Sequence, residues 1–76
     1  MSTNPNTAFR GRAPRGCYAT NEWAGTYTDE NGVATAEECV EYTHPSHGVV
    51  GCLVYKYRNE EFVSVEWVAY DPDLAL

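Results

Sequence analysis

The stretch from Val49 to Tyr70 constrains the fold more than any other part of the chain. Two runs of strand-forming residues, Gly48 to Tyr57 and Phe62 to Tyr70, are joined by Arg58-Asn59-Glu60-Glu61. β-Branched and aromatic side chains favour the extended backbone, and Asn59 tolerates the left-handed conformation of a tight turn, so the stretch reads as a β-hairpin. With Asn59-Glu60 as a two-residue loop, Arg58 faces Glu61. Stepping outward then sets Val54 opposite Val65, Cys52 opposite Trp67 and Val50 opposite Ala69. This register predicts a core face of Val50, Cys52, Val54, Val63, Val65, Trp67 and Ala69. The outer face then carries Leu53, Tyr55, Tyr57, Phe62, Ser64, Glu66, Val68 and Tyr70.

Upstream, Cys17 to Thr20 and Trp23 to Thr28 carry strand signals, as one kinked strand or two short ones. Gly25 is a place to bend, and Asn31-Gly32 marks a turn. Ala34 to His44 reads as a helix. Thr35-Ala36-Glu37-Glu38 fits a capping box, Ala36, Cys39, Val40 and Thr43 fall at helical spacing, and Pro45 disfavours helical geometry at His44. A helix of about nine residues does not persist alone, so it would dock on the inner face of the hairpin. The expected fold is α+β: a small antiparallel sheet of three to four strands with one short helix packed on one face, in the order β(β)-α-β-β.

Residues 1–16, rich in Ser, Thr, Asn, Pro, Gly and Arg, read as a disordered basic tail; residues 17–76 read as a single acidic α+β domain. Seventy-six residues support only a small core, so the stability margin is thin and a partner would add to it. Pro72 ends the last strand and leaves a short acidic tail with Leu74 and Leu76. Eleven acidic against five basic side chains give a net charge of −6, and from Cys17 onward only Lys56 and Arg58 oppose all the carboxylates. Such a body repels nucleic acid and attracts cationic partners. Three cysteines, an odd number, without a charged-then-apolar leader point to a reduced cytoplasmic setting. No apolar run approaches the roughly 20 residues that cross a bilayer.

Three constellations bear on chemistry. Cys39, His44, His47 and Cys52 are the candidate metal ligands, since thiolate and imidazole suit tetrahedral zinc. Against this, the usual pair of cysteines two to four residues apart is absent, and Cys39 and Cys52 read equally well as small buried hydrophobes, so no cofactor is expected. No activated nucleophile, phosphate-binding loop or Asp-x-Asp calcium pattern is visible, and the chain is not read as an enzyme. Tyr55, Tyr57, Phe62 and Tyr70 on the outer sheet face, with Tyr18 and Tyr27 as further rings, are the candidate partner anchors. The acidic candidates are Glu37, Glu38 and Glu41 on one helical face, Glu60, Glu61 and Glu66 on the hairpin, and Asp71 and Asp73 beyond it.

In general character the chain resembles the small acidic proteins that bacteriophages make to disable host machinery, anti-CRISPR proteins among them. The resemblance is one of type: short, strongly negative and without a cofactor motif. It assigns no residue a role. It implies an inhibitor that occupies the basic, nucleic-acid-binding surface of a larger protein in the host cytosol, imitating DNA and touching neither nucleic acid nor membrane. The alternatives are a homodimeric structural or regulatory module joined through the outer aromatic face, and a small zinc-stabilised adaptor.

Overall fold

A computed structural model describes residues 11–74. It contains one antiparallel sheet of four strands in the order β1-β2-β3-β4: β1 Tyr18–Thr28, β2 Ala34–His44, β3 Gly48–Arg58 and β4 Glu61–Ala69. Each strand pairs with its neighbour in sequence, so three short turns suffice and no crossover is needed. Among the described residues there is no helix, and the expected α+β fold is corrected to an all-β meander.

The element that differs is β2. Its hydrophobic stripe at helical spacing is narrow and half polar, whereas Cys39-Val-Glu-Tyr-Thr43 is rich in strand formers, and the segment lies between two strands that saturate its backbone on both sides. A nine-residue helix would bury one stripe; a central strand completes two ladders and adds side chains to both faces of the sheet. Thr35 is therefore not a helix cap. Its side chain is buried, and its Oγ1 donates 3.3 Å to the Val33 carbonyl. Pro45 does end the element, as a strand: Pro45-Ser46-His47 forms the turn into β3, with Gly48 at φ 74° and the Ser46 N–H donating to His44 Nδ1.

The β3–β4 loop is the expected Asn59-Glu60, and Arg58 faces Glu61 as read from the sequence. One pair further on, the register departs. Tyr57 pairs with Phe62 but Lys56 pairs with Ser64, so Val63 is an extra residue in β4. Val54 then opposes Glu66 instead of Val65, Cys52 opposes Val68 instead of Trp67, and Ala69 pairs with Gly51 instead of Val50. The predicted core and outer faces are thereby each split. A second irregularity sits at Val50 opposite Tyr42 and Thr43, and a third at Thr20 in β1, so β1 is one kinked strand whose kink lies at Thr20 and not at Gly25.

One face collects Leu53 with Val40 and Trp67, Tyr55 with Val65, Tyr57 with Phe62, and Gly51 with Tyr42 and Ala69. Gly11 approaches Val65, Gly16 approaches the His44 ring, and Pro14 between them is buried, so residues 11–17 lie across this strapped face. The expected disordered tail otherwise falls in residues 1–10, outside the described residues. Leu53, Val50 and Cys52 are the buried apolar side chains, so the core sits on β3.

Asn59 and Glu60 both have positive φ, 52° and 69°, the signature of a type I′ turn. A side chain in this conformation costs roughly 1–2 kcal/mol, partly offset by the extra freedom glycine gives the unfolded chain. Glu60→Gly is expected to raise the free energy of unfolding by about 0.5–1 kcal/mol, read from the urea midpoint.

The β1–β2 turn is held by Asp29, whose Oδ1 accepts from the backbone N–H of Asn31 and of Val33, both at 2.9 Å, while Oδ2 accepts from Arg58 Nη2 at 3.0 Å. The Val33 N–H first, then the Asn31 N–H and the Arg58 guanidinium, hold this carboxyl below its ordinary 3.8 against a desolvation that raises it. A carboxyl depressed on folding stabilises the fold above its unfolded pKa and loses that contribution as pH falls through the folded value. Stability should therefore decline as the solution is acidified below about pH 4, and Asp29→Asn should flatten that part of the profile.

Candidate protein-binding face

Alternation along the strands places four rows on the other, open face. From β1 to β4 they read Asn21-Glu41-Cys52-Val68, Trp23-Cys39-Val54-Glu66, Gly25-Glu37-Lys56-Ser64 and Tyr27-Thr35-Arg58-Glu61. The middle of this face is an apolar stripe, Trp23, Cys39 and Val54. Carboxylates flank it at Glu37, Glu41 and Glu66, with Lys56 among them and Arg58 bonded to Asp29. Trp23 is 45 % exposed, and Tyr18, Tyr27, Val49, Val68 and Tyr70 are also largely open to solvent. An apolar centre ringed by polar groups, with several Trp and Tyr rings unburied, is the composition of a protein-contact surface.

Tyr70 extends the face beyond β4. Its N–H donates to the Val50 carbonyl at 3.0 Å, and its hydroxyl donates 2.8 Å to Glu41 Oε2. Desolvation of the hydroxyl, and next the Glu41 carboxylate that accepts from it, push its ionisation well above the ordinary tyrosine range. The phenol is thus a fixed donor that orients Glu41.

The structure separates the predicted aromatic row. Tyr55, Tyr57 and Phe62 belong to the strapped face, where Tyr55 and Tyr57 are half-buried and the Tyr57 and Phe62 rings meet edge to face at 5.8 Å; Tyr70 alone is on the open face. The acidic groups are likewise redistributed. Glu37 and Glu41 share the open face with Glu66 and Glu61, Glu38 points to the opposite side, and Glu60 sits in the turn. Asp71 and Asp73 form a small C-terminal turn in which the Asp73 N–H donates to Asp71 Oδ1. The single acidic helical face is corrected with the helix. Trp23 was missed as an interface residue, although its spacing with Gly25 and Tyr27 is a strand period.

Cys39 and Cys52 lie diagonally on the open face, while His44 alternates to the strapped side and meets the tilted ring of His47 in the β2–β3 turn at 4.9 Å. The four candidate ligands are not brought together, and among the described residues no group of three or more His, Cys, Asp or Glu is placed to hold a metal ion. Burial raises the pKa of the Cys39 thiol, with Cys52 and Glu37 adding to it, and burial raises that of Cys17. Both thiols are protonated and poor nucleophiles at neutral pH. The depressions along β1 are open; one of about 420 Å³ is lined by Tyr27, Thr35, Tyr57 and Glu60 among others and holds no thiol or imidazole. Among the described residues, no helix is long and apolar enough to cross a membrane.

No family model matches the chain, and neither the curated proteins nor the solved structures yield a match.

Proposed function

We propose that the protein is a small acidic inhibitor that binds a larger protein through the open face and occupies a basic surface otherwise used for nucleic acid. One observation carries this reading: exposed Trp23, Tyr27 and Tyr70 share a face with Glu37, Glu41 and Glu66, so ring anchors and carboxylates address one partner together. Carboxylates steer a cationic target and fix its register, while rings determine how long it stays. A nucleic-acid-binding channel is the kind of cationic surface that regularly spaced carboxylates can imitate. The setting is the cytoplasm of a host cell, where the three free cysteines stay reduced. No catalysis and no cofactor belong to this reading.

Capture from a bacterial lysate with the tagged full chain, followed by addition of nucleic acid, tests it. The expected partner is a nucleic-acid-binding protein that nucleic acid displaces, that salt weakens, and that Glu37→Lys with Glu66→Lys fails to retain. Trp23→Ala should mainly speed dissociation and leave the salt dependence unchanged. A partner that holds nucleic acid and this protein at once, or that binds the charge-reversed variant equally well, would overturn the reading.

A further inference from the structure

We infer that the chain forms a twofold dimer by pairing β1 edge to edge with β1 of a second copy, making a continuous eight-stranded sheet. The edge invites it. Among the described residues, β1 has β2 on one side and no strand on the other, and all eleven of its residues are exposed. Natural edge strands are usually guarded by lysine, proline, a bulge or a covering element. This one has neither lysine nor proline, and its irregularity at Thr20 leaves Asn21 to Thr28 regular.

Charge selects the occupant. Glu22 is the sole ionised side chain in β1, against Glu61 and Glu66 in β4, so this is the less negative of the two sheet edges. Stacking two open faces would instead bring Glu37, Glu41 and Glu66 against their own copies, which like-charge repulsion opposes.

Pairing must keep residues of one face opposite each other, and centring on Gly25 uses the whole regular stretch. Trp23 then opposes Tyr27 of the second copy on the open face, twice, around the paired Gly25 residues. Nothing lies within 4 Å of where a Gly25 side chain would begin, so there is room for these rings to close over the dyad. Glu22 opposes Thr28, which leaves the two Glu22 carboxylates about 20 Å apart along the strands. The two Glu37 side chains are about three strand spacings, roughly 14 Å, apart. Both separations exceed the screening length of about 8 Å at physiological salt. A register centred on Glu22 would instead place those carboxylates directly opposite each other. The dimer joins the two open faces side by side, so it doubles the surface proposed above and does not compete with it.

Sedimentation equilibrium of the full chain over a wide micromolar range tests the dimer. On the solvent-exposed strapped side, Ala24 would oppose Thr26 of the second copy. Ala24→Asp with Thr26→Asp therefore sets four carboxylates together and should weaken the dimer at least about tenfold. Ala24→Lys with Thr26→Asp sets opposite charges across the dyad and should restore it to within about threefold of the unmodified chain. Circular dichroism melts of both variants confirm that the monomer fold is intact. A chain that stays monomeric throughout the range overturns the proposal. So does a dimer indifferent to the two aspartates, or one that the charge swap fails to restore.

Discussion

Gly51→Ala is expected to destabilise the fold by about 3 kcal/mol, near the upper end of overpacking costs, because the added methyl meets atoms that cannot give way. Gly51 lies on the strapped face opposite Tyr42 and Ala69. A Cβ there would sit 2.6 Å from Trp67 Cζ2 and 2.9 Å from Cη2, and would run into the Val68 carbonyl oxygen. The carbonyl belongs to the β3–β4 ladder, and the Trp67 ring stands edge-on to Tyr42 at 6.0 Å. Relief therefore requires either a broken ladder or a displaced ring. Urea denaturation measures the loss. A double-mutant cycle with Trp67→Leu should recover part of it, since a smaller side chain opens the space; strict additivity would show that the ring is not what the methyl meets.

That contact also shows where the sequence stops being legible. The hairpin turn, the end of β2 at Pro45 and the break near Asp71 could be read directly, because proline, asparagine and glycine act on their own backbone. The bulge at Val63 could not. Nothing local distinguishes Val63 from the β-branched residues around it, and the extra residue is selected by the ladder as a whole, which gains by placing Trp67 beside Leu53 and over Gly51. One inserted residue inverts Ser64 and everything after it in β4, relative to β3, from the faces expected. β2 failed for a different reason. Thr35-Ala-Glu-Glu38 satisfies a local helix-start rule, yet the choice between helix and strand was made by its two neighbours, β1 and β3, through hydrogen bonds remote in sequence. The candidate site inherits both errors. Glu37 and Glu41 with Trp23 are a surface only when β2 is a strand, and Tyr70 parts from Tyr55 and Tyr57 only because β4 carries the bulge.

Leu53→Ala separates the two assignments of faces most sharply. The outer-face position expected from the simple register would make this a mild surface change, within about 0.5 kcal/mol. The observed position is 3 % exposed, in a row between Val40 and Trp67, on the face that residues 11–17 cross. Truncation there removes buried methyl groups and leaves a cavity whose walls are held by the sheet, and the expected loss is about 3 kcal/mol. Against a total stability of about 5–15 kcal/mol for small domains, that is a large share, since Leu53 is one of three buried apolar side chains in the described strands. Val49→Ala supplies the comparison: two strand positions from Gly51 on the same strand but 51 % exposed, it should cost under about 0.5 kcal/mol. Val54→Ala completes the test. The simple register places Val54 in the core, whereas it stands half-buried on the open face opposite Glu66, so its loss should fall clearly below that of Leu53. A urea midpoint lower for Val54→Ala than for Leu53→Ala would return the core to the other face of the sheet.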